Sequence, residues 1–172
     1  MERSGGSRRA FPKVHTPDER DRKHTMACSI TALSLLVRDY DPAIAYYTRA
    51  LGFRVLEDTP IDAGKRWVVL GPRSNKHSTG GASLLLARAV NARQRAQIGN
   101  QSGGRVFLFL HTSRFWADYH RMRSVGVAFS EEPRQEPYGW VVVFTDLYGN
   151  RWDLVQRSRR TRKPRLPKAP RT

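Results

Sequence analysis

The chain has 172 residues, 39% hydrophobic and 27% charged, with one cysteine and a formal net charge of +16. That size allows one domain or two small modules sharing a core. A single cysteine, Cys28, excludes internal disulfides and fits a reducing, cytoplasmic setting, and no apolar run reaches the roughly 20 residues needed to span a bilayer.

Residues 1–28 read as a disordered basic tail without the apolar stretch of a secretory signal. Residues 29–37 carry β-branched and aliphatic residues in loose alternation, which predicts a strand. Asp39 or Asp41 can cap the helix that follows, and Pro42 is tolerated in its first turn. Ala43, Tyr47, Ala50 and Leu51 form one helical stripe to bury on a sheet, and Gly52 suits the helix end. Strands are predicted at 53–57, 66–70 and 82–87, with turns at Pro60, at 62–64 and from Gly71-Pro72 through Gly80-Gly81. These elements make module one, residues 29–87. A polar helix or loop lies within a linker, residues 88–104.

Module two, residues 105–157, repeats the order. A strand at 105–111 leads to a helix at 115–125 stopped by Gly126. Strands follow at 127–130, 140–144 and 151–156, the last after the turn 146–150. Residues 158–172 form a second disordered tail, with seven basic and no acidic side chains. It could hold nucleic acid by counterion release. The plainer reading is a solubilising tail, since no aromatic residue lies among the arginines to stack on bases.

The two modules are diverged copies. ALSLLVRDYDPAIAYYTRALG at 32–52 returns as VFLFLHTSRFWADYHRMRSVG at 106–126, an offset of 74. Each copy is followed by an aromatic strand start, RWVVL at 66–70 and GWVVVF at 139–144. In each module one helix covers one face of a mostly antiparallel sheet. The fold class is therefore α+β.

Two segments carry a family resemblance: LLVRDYDPAIAYYTRALGF at 35–53 and DLYGNRWDLVQ at 146–156. They resemble the vicinal-oxygen-chelate superfamily, the group of glyoxalases, bleomycin-resistance proteins and extradiol dioxygenases. The resemblance covers residues 29–157 and leaves both tails outside. It implies two tandem βαβββ modules whose curved mixed sheets form a shared cleft for a small molecule, and a homodimer. It also implies a divalent metal held from the first and last strands of each module. Here those positions read Ala32, Ser83 (or Leu84), Val106 and Asp153. Only Asp153 offers a ligand, and one carboxylate does not hold a catalytic metal. The expectation is therefore no metal cofactor. Asp153 is left to bind a ligand hydroxyl or amine, to act as a general base, or to pair with an arginine.

If Val106 faces the cleft, alternation puts Leu108 and Leu110 beside it and turns Phe107, Phe109 and His111 away. Ala32, Ser34 and Leu36 then line the other wall. Trp67 and Trp140 begin equivalent strands and can stack on a flat ligand or serve as core or interface anchors. Tyr138 can lend a hydroxyl, and Arg66 or Arg105 can neutralise an anion. The leading function is a protein that binds an apolar or aromatic small molecule, such as a sequestered drug. The first alternative is a glyoxalase-like lyase or dioxygenase with a divalent metal on a shifted set, Asp153 with His111 or Glu132. The second is a nucleic-acid-associated module working through its tails.

Overall fold

The computed structural model describes residues 30–73 and 82–158, so the predicted N-terminal tail, the predicted C-terminal tail beyond Ser158 and residues 74–81 of the predicted 71–81 turn lie outside the described residues. Leu35 and Val37 alternate along β1 (Ala32–Val37) and are fully buried, while Ala32 and Ser34 on the other face stay exposed. Helix α1 (Tyr40–Arg49) starts where the Asp39 carboxylate accepts the Tyr40 N–H at 2.8 Å, and it buries Tyr40, Ala43 and Tyr47. Strands β2 (Arg54–Asp62), β3 (Lys65–Gly71) and β4 (Ser83–Arg88) complete the first sheet, in the order β1-β4-β3-β2 with β1 and β4 parallel.

The linker holds a short helix, α2 (Ala92–Gln97), capped by Asn91. Beyond it, the Gln101 side chain accepts the Leu36 N–H at 2.7 Å and donates to the Ser34 carbonyl at 3.3 Å, along the outer side of β1. Module two comprises β5 (Val106–His111), α3 (Phe115–Ser124), β6 (Ala128–Phe129), β7 (Arg134–Glu136), β8 (Gly139–Thr145) and β9 (Arg151–Arg157). Its sheet runs β5-β9-β8-β6, with β7 also on β8 and β5 parallel to β9. The fold is α+β with two mixed sheets, as the sequence predicts. No helix among the described residues is long and apolar enough to cross a membrane.

Three details differ from the sequence reading. Pro60 does not turn the chain but lies within β2, an edge strand, where its missing N–H costs no ladder bond. The short β7 was not anticipated. The repeat offset is also not constant. It is 74 at the strand starts and at Gly52 and Gly126, whose φ angles of 73° and 87° end both helices. Between those points Leu33 and Leu35, paired with Leu84 and Leu86, correspond to Leu108 and Leu110, paired with Trp152 and Leu154, 75 positions on. The extra residue is a bulge at Phe107: Val106 pairs with Arg151 and Leu108 with the very next residue, Trp152.

One core serves both modules. It joins Leu35, Val68, Leu70 and Leu86 of the first sheet to Val142, Phe144, Trp152 and Leu154 of the second, with Tyr47, Phe53, Phe115 and Met122 from the helices and their ends. Burial of each such side chain contributes about 1.5–3 kcal/mol. The Tyr47 ring lies 6.3 Å from Trp152, across the module boundary. Beneath this contact the buried Asp146 accepts from Tyr47 Oη at 2.8 Å, Trp152 Nε1 at 3.1 Å and Asn150 Nδ2 at 2.9 Å. It also accepts the Tyr148 and Asn150 N–H groups. Asp146 thus shapes its own turn and fastens α1 to it. Burial, then the Asp146 charge, holds the Tyr47 phenol well above its ordinary pKa and pushes Tyr46 up to about 12.

Candidate functional site

Each sheet has a second face, turned away from the core. On the first sheet, register places Ser34, Leu85 and Val69 side by side, and Trp67 follows two residues from Val69. Ser34 is exposed there and Trp67 is 43% exposed. On the second sheet Phe109, Asp153 and Val143 align, and next to them His111, Val155 and Val141. The three valines are buried yet stand apart from the common core. They form an apolar floor around Asp153, which is only 9% exposed, while Phe109 beside it is 61% exposed.

The Asp153 carboxylate is the unusual group on this face. Its Oδ1 is buried with no hydrogen-bond partner. Burial raises its pKa, opposed by the more distant charges of Arg134 and Arg151. Arg134 sits across from Val141 and is itself paired with Glu131 and with Glu136 at 2.9 Å. Glu131 in turn accepts the Val143 N–H at 3.2 Å. The face therefore combines an apolar floor, one unsatisfied carboxyl oxygen, an exposed aromatic ring and an ionic rim. Such a surface can hold a flat apolar molecule that offers one O–H or N–H.

The predicted site residues divide. Ser34 and Trp67 lie on the open face of the first sheet and Asp153 on that of the second, and a single chain does not bring them together. Leu108 and Leu110 do not lie on the Asp153 face: they turn inward and pack against the core, because the bulge at Phe107 inverts the alternation. The same inversion puts Phe109 and His111 on the open face. Trp140 also turns inward, its ring 6.0 Å from Phe115 and 5.0 Å from Trp116. The counterpart of Trp67, by its place beside the valine that pairs with the last strand, is Val141. Tyr138 lies exposed between β7 and β8, where its carbonyl accepts the Ser158 N–H. Arg66 is engaged with Asp41 and Asp58 and lies over the Tyr40 ring, so it is not free for an anion.

The metal-equivalent positions also shift. Ala32 pairs with Ser83, but the residue matching Asp153 is Leu85, since Val69–Leu85 repeats Val143–Asp153. Alanine, valine, serine or leucine with a single aspartate is a donor set that does not fit a divalent ion. Of the shifted set, His111 shares the open face with Asp153, two positions along β5 from Phe109, while Glu132 is met by the Tyr119 hydroxyl at 3.5 Å. Sequence reasoning missed Phe109, the valine floor and the Glu131–Arg134 rim. The one signal was the run WVVVF, too apolar for a strand buried on one face only.

Comparison with known proteins gives a concordant picture. The family model of the Glyoxalase/Bleomycin resistance protein/Dioxygenase superfamily matches residues 8–154. An uncharacterized protein of Shewanella frigidimarina is 51% identical over 132 residues, covering 76% of this chain and 95% of that protein. The crystal structure of UcmS2 is similar with a TM-score of 0.63 and 30% identity, over 76% of this chain and 98% of that one. TnmS3, an antibiotic binding protein from Streptomyces sp. CB03234, is similar with a TM-score of 0.56 and 27% identity, over 78% and 100% of the two chains.

Proposed function

The chain belongs to the Glyoxalase/Bleomycin resistance protein/Dioxygenase superfamily, and on that premise we propose that it binds and sequesters a flat, largely apolar small molecule in the cytoplasm without a catalytic metal. The observation that carries this reading is the unpartnered Asp153 Oδ1 on an apolar floor beside exposed Phe109. A buried acceptor without a donor is costly. A ligand that stacks on Phe109 and donates one hydrogen bond to Asp153 removes that cost. The similarity to TnmS3, an antibiotic binding protein, supports the same class of ligand.

The proposal includes a homodimer. Both sheets give their inner faces to one core, so their open faces lie on the outside. A second copy that lays its Ser34–Trp67 face over the Asp153 face encloses the ligand between an indole and a phenyl ring. The exposure of Trp67 and Phe109 in one chain favours this arrangement.

The test is a thermal-shift screen of polycyclic aromatic and antibiotic-like compounds, with metal analysis of the purified protein. A true ligand at 100 times its Kd adds about 2.7 kcal/mol of stability, and Asp153→Ala should abolish the gain. Stoichiometric, chelator-removable metal that disappears with Asp153→Ala would overturn the metal-free reading in favour of a lyase or dioxygenase.

A further inference from the structure

A second recess lies where the two modules meet, around the end of β5, with Leu110 and Leu154 on the core side of the second sheet and His111 at its rim; Phe109 and Asp153 are not in its lining. It is a groove of about 800 Å3 whose apolar lining includes the half-buried Leu110 and Pro72, backed by the buried Met122 and Leu154. Four arginines surround it, Arg54 and Arg73 from module one and Arg114 and Arg121 from module two. Asp118 is the one acid in the lining. That carboxylate is already occupied: it accepts from Thr112 Oγ1 at 2.6 Å and lies 3.7 Å from Arg121 Nε. Arg121 also donates to the Ala50 carbonyl at 2.8 Å, which ties the modules together at the groove. Arg54 and Arg114 are exposed and make no ion pair among the described residues.

We propose that this inter-module groove binds a small organic anion, with its phosphate or carboxylate group among the guanidinium groups and its apolar body on the half-buried Leu110 and Pro72. Guanidinium groups of one sign facing a shared concavity raise the local potential and concentrate anions. Their planar donor forks match both phosphate and carboxylate oxygens. The volume falls in the range of sites for small ligands, and the mixed lining selects an amphipathic anion over a bare inorganic one. The inference does not depend on the ligand of the Asp153 face.

Isothermal titration of the full-length protein at low ionic strength tests it, with phenyl phosphate, phenylacetate and inorganic phosphate as probes. The first two arms separate a phosphate source from a carboxylate source. The expected result is saturable one-to-one binding of at least one aromatic probe, tighter than inorganic phosphate. Arg54→Gln with Arg114→Gln should weaken it roughly tenfold or more. Arg93→Gln with Arg95→Gln on α2 removes the same charge from exposed positions elsewhere, and should change the affinity less than twofold. Three results would overturn the proposal: equal weakening in both double variants, inorganic phosphate binding as tightly as the aromatic probes, or saturation by none of the three. If the first double variant fails to fold, Arg114→Gln alone takes its place with the same criteria.

Discussion

Asp146→Ala should be among the most damaging single substitutions in this chain, although Asp146 lies in a turn. The side chain is 6% exposed and accepts five hydrogen bonds, from two backbone amides, an amide side chain, an indole and a phenol. Alanine leaves all five donors without their acceptor. Each buried donor left unpaired costs about 1–3 kcal/mol. Relaxation and entering water recover part of that, so the net loss should be about 3–5 kcal/mol, similar to breaking a buried ion pair. Against a total stability of about 5–15 kcal/mol this is a large fraction. With a urea m-value of about 2 kcal/mol/M the unfolding midpoint should fall by roughly 2 M. Tyr47→Phe removes one of the five donors together with its need, and should cost only about 1 kcal/mol. Urea unfolding followed by tryptophan fluorescence measures both. A loss below about 1 kcal/mol for Asp146→Ala would refute the reasoning, because it would mean that the five bonds contribute no more than solvation by water.

Three further outcomes are expected. Asp153 has a raised pKa when folded, so the folded state holds its proton more tightly than the unfolded chain. Its contribution to stability is therefore greatest below the ordinary carboxylate range and is lost as pH rises through the raised folded value. Asp153→Asn does not titrate, so chemical denaturation across that range should show the variant gaining on the parent as pH rises; a constant difference would contradict this. Gly99→Ala should destabilise by about 2 kcal/mol or more, since φ is +81° and a Cβ would meet the Tyr148 carbonyl oxygen; an unchanged Tm would show that the linker yields freely there. Phe109→Ala should leave stability within about 0.5 kcal/mol, as an exposed position does, while weakening any ligand found in the aromatic screen at least tenfold in a direct titration.

Much of the architecture was legible because local chemistry and global fold agree in it. Asp39 announces a helix start, Gly52 and Gly126 announce helix ends, and the aliphatic alternation at Leu35 and Val37 marks a buried strand face. The open face of module two was not legible, for a specific reason. Alternation fixes only which residues share a face, and one inserted residue exchanges the faces. Nothing in the phenylalanine at position 107 distinguishes a bulged residue from a paired one; only the neighbouring strand does. Leu108 and Leu110 were therefore assigned outward and Phe109 and His111 inward, each on the opposite side from where it lies; Trp140, open between ligand stacking and a core anchor, is a core anchor. Asp153 escaped the error because β9 has no irregularity against β8. The DLYGN turn was legible as a turn, but the tether from Tyr47 to Asp146 joins residues 99 positions apart, beyond any local pattern.

The two bonds from Gln101 to Ser34 and Leu36 bear on how copies of this protein can meet. A sheet that ends in an unpaired strand invites the next chain to add one, and repeated addition makes fibres. Gln101 occupies a donor and an acceptor that an incoming strand would need on β1. The far side of the same sheet is guarded differently. There β2 carries Pro60, two breaks in register, and the charged Arg54, Glu57, Asp58 and Asp62. With both borders of the first sheet closed to polymerisation, association is steered away from strand exchange and toward contact between faces, which stops at a finite number of subunits.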